Sequence, residues 1–280
     1  QHPEVAPIAR TLFCPGSFSS DRRSCTVNNT ISYRAGSLER PSLEWSRVAA
    51  AGVRGVELNW TDDLTAAAAD AALTPHGLRV TSLGLPCPLD DDALPTLYGK
   101  AAAIAADLGA HYLFTSTRGD DMSLAEAAGR LQKLGDATGA HEVSVALETH
   151  PELCTNAERM RESMTMIAHP WVGVNYDTAN VYYYNHNIDT VEQVAACIDL
   201  VRGVHLKDTH GKFEDFDFPV FGEGIVPFDK VHDVLQRAGY TDAYCMELEG
   251  PAFNRDEPDD LADKVARCVA HLRSVGVPGR

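Results

Sequence analysis

Four apolar runs in the second half of the chain each carry, at or near their end, a polar group that is costly to bury without a partner. "VALETH" (145–150) carries Glu148, and "VGVNYD" (172–177) ends on Asp177. "GVHLKD" (203–208) carries His205, and "AYCMELEG" (243–250) carries Glu247. Intervals of 29, 28 and 42 residues separate the four groups. Each interval holds a segment with helical periodicity, so these are successive strand–helix units and not one local cluster.

The first half of the chain continues the alternation. Short apolar runs predict strands over 29–36, 53–60, 78–85, 111–120, 142–150, 171–180, 202–210 and 242–250. Amphipathic segments predict helices over 40–52, 64–77, 94–110, 123–140, 156–169, 189–201, 228–239 and 260–276. The first of these opens with Pro41 and closes with Gly52, as helix ends prefer. Eight strand–helix units in about 250 residues match the arithmetic of an α/β fold of the (β/α)₈, or TIM-barrel, kind in a single domain. A doubly wound open sheet would bring a Gly-rich phosphate turn after its first strand, and none is present. No Pro/Gly-rich linker divides the chain. Residues 1–27 read as an irregular N-terminal arm, and 28–280 as the catalytic barrel domain.

Side-chain parity points the same way. Alternate residues of a strand face opposite sides. Glu148 shares a face with Ala146 and Ser144, Asp177 with Asn175 and Gly173, His205 with Gly203, and Glu247 with Cys245 and Ala243. Val145, Leu147, Val174, Tyr176, Val204, Leu206, Tyr244 and Met246 take the other face. Small residues thus accompany the polar groups, which predicts that the groups point into a barrel mouth while the bulky residues pack on the helix ring. Sites of such barrels lie at the C-terminal strand ends, where all four groups fall.

Bulk properties narrow the function. A formal net charge of −16 repels nucleic-acid phosphates, and no local basic patch offsets it. No apolar run approaches the roughly 18–20 residues that span a bilayer. The N-terminal "QHPEVAPIARTLF" lacks the basic-then-apolar shape of a signal peptide. Seven cysteines without a CxxC pair read as free thiols of a cytoplasmic protein, although Cys14 and Cys25 are near enough in sequence to pair.

Three carboxylates and one imidazole converging on one place need a neutralising cation. An oxygen-rich set with a single histidine suits Mn²⁺ or Mg²⁺, with Co²⁺ or Fe²⁺ also compatible. Taken singly, each group reads more simply as a strand-end ion-pair partner or a satisfied core histidine; the common position and parity argue for a joint site.

"VALETHP", "VNYDTANVYYY", "VHLKD", "FGEGIVPF" and "MELEG" resemble the sugar phosphate isomerase/epimerase superfamily, the xylose-isomerase-like barrels. It includes ketose 3-epimerases, inosose dehydratases and hydroxypyruvate isomerases. The resemblance implies one divalent ion, normally Mn²⁺, Co²⁺ or Mg²⁺, held by Glu148, Asp177, His205 and Glu247. It implies acid/base roles for Glu148 and Glu247. Two positions depart from the ketose-epimerase pattern: Asn180 stands where a substrate-contacting histidine is common, and Gly211 where an arginine is common. Candidate substrate contacts are Asn180 itself, Lys207, His150 and His210 on or after the strands, and Trp60 at the end of the second strand. For Lys207 a salt bridge to Glu148 or Glu247 is the simpler alternative; the loop histidines are as readily plain solvated residues, and Trp60 a packing residue.

The expected activity is isomerisation or epimerisation of a keto-sugar or related polyol through an enediolate. The alternative is a lyase, a dehydratase or an oxo-glycoside-cleaving β-elimination enzyme, since the same intermediate expels a β leaving group. The nuclease branch of the architecture needs more histidine ligands and a basic face, and neither is visible. The expected partner is a small sugar or sugar derivative that lacks phosphate, with a homo-oligomer or a hetero-complex both compatible.

Overall fold

The computed structural model describes residues 29–117 and 122–277. Eight parallel strands pair in chain order and close on themselves: β1 (Ile31–Gly36), β2 (Gly55–Asn59), β3 (Arg79–Gly84), β4 (Tyr112–Thr115), β5 (Ser144–Glu148), β6 (Val172–Asp177), β7 (Val201–Leu206) and β8 (Tyr244–Met246). Closure is made by β1 against β8, with Ser32 opposite Cys245 and Tyr33 opposite Met246. The expected N-terminal arm and the Cys14–Cys25 pairing lie outside the described residues.

The crossover helices are α1 (Trp45–Ala50), α2 (Ala66–Leu73), α3 (Leu94–Asp107), α4 (Leu124–Gly139) and α5 (Ala157–Ile167). After a short extra helix, α6 (Asn180–Tyr183), come α7 (Thr190–Cys197), α8 (Phe228–Arg237) and α9 (Pro258–Ser274). Local chemistry sets several starts. Ser123 and Glu126 form a reciprocal capping box on α4, and Asn156 and Asp189 accept first-turn backbone N–H groups on α5 and α7. The first helix is shorter than its periodicity predicts. Pro41 is not its opening residue but bridges back to Gly36, and the helix begins at Trp45.

The two faces of the strands separate as parity predicts. Val145, Leu147, Val174, Tyr176, Val204, Leu206, Tyr244 and Met246 join one core with the helix ring. Inside the barrel, Tyr112, Phe114 and Ala146 form a second, smaller cluster. Small residues on the inner face make room for β4's rings. A Cβ added at Gly203 would lie 2.6 Å from the Tyr112 ring and 2.4 Å from Asn175 Oδ1. Two rings therefore plug the barrel, and polar groups occupy the space above them. Among the described residues, no helix is long and apolar enough to cross a membrane, and five cysteines are free.

Candidate active site

Strand register places the polar groups side by side. Asp177 on β6 pairs with His205 on β7, and Arg34 on β1 pairs with Glu57 on β2. Glu247 follows β8 directly, its N–H bonding Leu206 O at 3.0 Å. One ligand atom from each of Glu148, Asp177, His205 and Glu247 lies within 4.8 Å of the others, and all four residues are buried.

Each side chain is held by a different set of neighbours. Asp177 commits Oδ1 to the turn leading into α6, accepting from Ala179 N at 2.8 Å and Asn180 N at 2.7 Å. Its other oxygen, Oδ2, is buried without a hydrogen bond and lies 3.4 Å from Lys207 Nζ. Glu148 accepts a hydrogen bond from Ser116 Oγ, and sits 3.2 Å from His205 Nδ1 and 3.4 Å from His150 Nε2. Glu247 accepts from Arg34 and lies 2.7 Å from Lys207 Nζ. His205 turns Nδ1 toward Glu148 and Glu247, and Nε2 toward Glu57 at 3.2 Å.

The four groups fit a divalent cation. Donors on opposite sides of an ion bound at about 2.1 Å are about 4.2 Å apart, and ligand atoms no more than 4.8 Å from one another suit that span with at most a small contraction. Oδ2 of Asp177 supports the fit: it is buried, accepts no hydrogen bond and has the Lys207 ammonium at 3.4 Å, so a lone pair is left for an ion.

Electrostatics divides the carboxylates. Burial raises the pKa of Glu148, and the charge of Glu247 adds to the shift against opposing effects of His205 and Lys207. Burial also pushes Asp177 up to about 6, with Lys207 opposing and the other two carboxylates adding. For Glu247 burial acts upward too, but Lys207, Arg34 and His205 outweigh it and hold the group well below its ordinary range. Burial would lower His205; Glu57 and Glu247 reverse this and raise it well above the usual imidazole value.

The remaining sequence candidates are unequally placed. Lys207 is fully buried; besides Glu247 it meets Glu249 Oε1 at 2.5 Å and donates to Asn180 Oδ1 at 3.1 Å. Lys207 and Asn180 are therefore tied together within the ion-pair network. His150 lines the mouth beside Glu148, with Tyr184 Oη 2.9 Å from its Nδ1. Trp60 is half-buried and lines a different cavity, with Lys100 Nζ 5.4 Å from its ring centre. His210 is exposed, 3.8 Å from Asp217, and lines neither of the two cavities at the mouth. Outside these candidates, Glu223 of the "FGEGIVPF" loop makes an exposed ion pair with Arg267.

Arg34 and Glu57 complete the cluster and escaped the sequence reading. Both sit on the small-residue faces of their strands, Arg34 with Ser32 and Glu57 with Gly55, which is the signal that marked the other four. Arg34 lies over the Phe114 ring, 5.0 Å from its centre, and lines both cavities. The smaller cavity, about 250 Å³, is walled by Glu148, Glu247, Asn180, Tyr183, Tyr184 and Phe218 among others. The larger, about 540 Å³, adjoins it at Arg34 and Ser116 and extends to Asn59, Trp60, Cys87 and Phe114.

Comparison with known proteins agrees with this architecture. L-Ribulose-5-phosphate 3-epimerase UlaE of Salmonella typhimurium is 25% identical over 214 residues, covering 70% of this chain and 73% of its own. The SgbU protein of Haemophilus influenzae is 30% identical over 115 residues, so the chain spans only 38% of that relative. A D-allulose 3-epimerase from Methylomonas sp. superposes with a TM-score of 0.70 at 16% identity, over 89% of this chain and 98% of its own. A xylose isomerase domain protein from Planctomyces limnophilus gives the same TM-score at 17% identity, over 88% and 96%. At such identities the structural likeness speaks for the fold alone. Residues 45–274, from the start of α1 to the end of α9, match the xylose isomerase-like TIM barrel family, and the chain belongs to it.

Proposed function

We propose that this protein is a divalent-metal-dependent isomerase or epimerase of a keto-sugar or related polyol. The observation that carries the reading is the buried convergence of Glu148, Asp177, His205 and Glu247 at neighbouring strand ends, with aromatic and polar walls around it. Mn²⁺ is the ion best matched to three carboxylates and one imidazole, with Co²⁺ or Mg²⁺ also compatible. When bound, such an ion supplies the Lewis acidity that makes a proton next to a carbonyl removable.

The chain's own groups would divide the proton work. Glu247, beside Lys207 and Arg34, is kept ionised and suits the base that removes the proton. Glu148 has the raised pKa of a group able to carry a proton and return it. A resident cation lowers both carboxylates, but it does not abolish the difference in their neighbours. Return to the opposite face of the same carbon gives epimerisation, and return to the adjacent carbon gives aldose–ketose isomerisation.

A lyase reading is favoured by one observation, the larger cavity that continues past Arg34 and Ser116 to Trp60. It offers room for a substituent attached to the sugar, and expulsion of that substituent from the enediolate would be β-elimination. The test is a panel of keto-sugars and oxo-glycosides in deuterated water, with protein stripped of metal and reloaded with Mn²⁺, Co²⁺ or Mg²⁺. Deuterium entering the α-position with new sugar isomers supports the first reading, and released aglycone supports the second. Full activity in rigorously metal-free protein would defeat both.

A further inference from the structure

Glu57 is a carboxylate with no place in the proton chemistry above, and it is fully buried inside the barrel. Its Oε2 accepts from Ser82 Oγ at 2.7 Å, and its Oε1 lies 3.5 Å from Arg34 Nε. His205 Nε2 lies 3.2 Å from Oε1 and 3.3 Å from Oε2. Both Glu57 oxygens therefore face the side of the imidazole turned away from Glu148 and Glu247. His205 Nδ1, on the other side, is 3.2 Å from Glu148 and 3.4 Å from Glu247.

An imidazole binds a cation through the nitrogen that carries no proton, so the second nitrogen must hold the proton and donate it. We infer that Glu57 is the positioning residue of this site: by accepting the Nε2 proton of His205 it fixes the ring with Nδ1 bare and aimed at the metal-binding cluster. Ser82 and Arg34 in turn orient Glu57, giving a chain from β3 and β1 through β2 to the histidine on β7. The inference rests on the metal-site reading above and extends it to a residue that touches neither substrate nor ion. Cys245, grouped with Glu57 and His205 within 4.8 Å, is the competing explanation, since these three could instead form a separate ion site.

Mn²⁺ titration by calorimetry and ¹⁵N spectra of the histidines in Mg²⁺-loaded protein test it without measuring activity. In the wild type, His205 should show a protonated Nε2 and an unprotonated Nδ1. Glu57→Leu should weaken Mn²⁺ binding about 10–100-fold and mix the two tautomers. Glu57→Gln, which keeps an acceptor oxygen, should recover most of the affinity, and Ser82→Ala should cause a smaller loss in the same direction. A proton on Nδ1 in the loaded wild type, or unchanged affinity in folded Glu57→Leu, would overturn the inference. So would a second metal equivalent removed by Cys245→Ser, because Glu57 would then be a ligand. If the wild type binds none of Mn²⁺, Co²⁺ and Mg²⁺, the metal-site reading fails and takes the inference with it. If the wild type binds and Glu57→Leu binds equally, only the inference fails.

Discussion

Glu148, at the end of β5, and Glu247, just after β8, face the same space across two intervening strands, yet they meet different chemistry. Lys207 and Arg34 stand against Glu247, whereas Glu148 has a hydroxyl and two imidazoles. Replacing either with Gln keeps an oxygen near the ion but removes the ability to accept a proton. Glu148→Gln and Glu247→Gln should fold, retain some metal and lose about 10²–10⁴-fold in rate at saturating Mn²⁺. Recovery of near wild-type rates with excess metal would reduce both to ligands. If these groups hold the ion, their protonation also sets a pH dependence. Asp177 is raised to about 6, Glu148 is raised, and His205 is raised well above its usual value. Metal binding requires the proton-free forms, so protons compete below each pKa and affinity must rise as pH increases through this range. Calorimetry in buffers of different ionisation enthalpy should show proton release on binding, and an affinity flat across pH about 6 would contradict the assignment.

At the scale of elements, the loop after β7 is pinned by one buried carboxylate. Asp208 Oδ2 accepts from Gly222 N at 2.9 Å and Gly224 N at 3.0 Å, while Oδ1 accepts from Val226 N at 3.1 Å. This clamp gathers "FGEGIVPF" around the Asp208 carboxylate just ahead of α8. Glycine is required at 224 because an added Cβ would lie 2.2 Å from Asp208 Oδ1. Asp208→Ala strands several donors, each costing about 1–3 kcal/mol if it stays buried. Lower urea stability, together with faster hydrogen exchange at Gly222, Gly224 and Val226, is the expected result. Unchanged exchange at these three amides would show that the loop is held by other contacts. Gly224→Ala should disturb the same amides through the clash.

For the whole molecule, the proposed metal site would link ion binding to folding. The ion would bind the closed barrel and not the unfolded chain, whose four ligands are scattered over about a hundred residues of sequence. At free Mn²⁺ a hundredfold above Kd, the linkage contributes about 2.7 kcal/mol of stability. For a domain of this length that corresponds to a rise in Tm of roughly 5–10 °C. Calorimetric scans with EDTA and with Mn²⁺ should differ by this amount, and His205→Ala should shrink the gap more than Lys207→Ala does. Identical scans for the wild type would mean that the cluster does not hold the ion.

The alternation of strand and helix, the facing of each strand and the four polar groups at the strand ends are all readable along the chain. Each depends on a short-range period: 2 residues for strands, about 3.6 for helices, and small against bulky on opposite faces. Glu148, Asp177, His205 and Glu247 stood out because a charge closing an apolar run is conspicuous within a few residues of sequence. What the site does with them was decided by barrel closure. Arg34 reaches Glu247 across 213 residues, and Glu57 reaches His205 across 148, contacts that form only when β1 and β2 close the barrel and stand beside its later strands. The same closure made Lys207 a partner of Glu247, Glu249 and Asp177, and left His210 exposed beside Asp217. Even the start of the first helix depended on tertiary context, with Pro41 drawn to Gly36. Local periods specify which way a side chain points. Which charge it meets is a long-range property, because the pKa of a buried group is set by whatever the fold brings within a few ångströms of it.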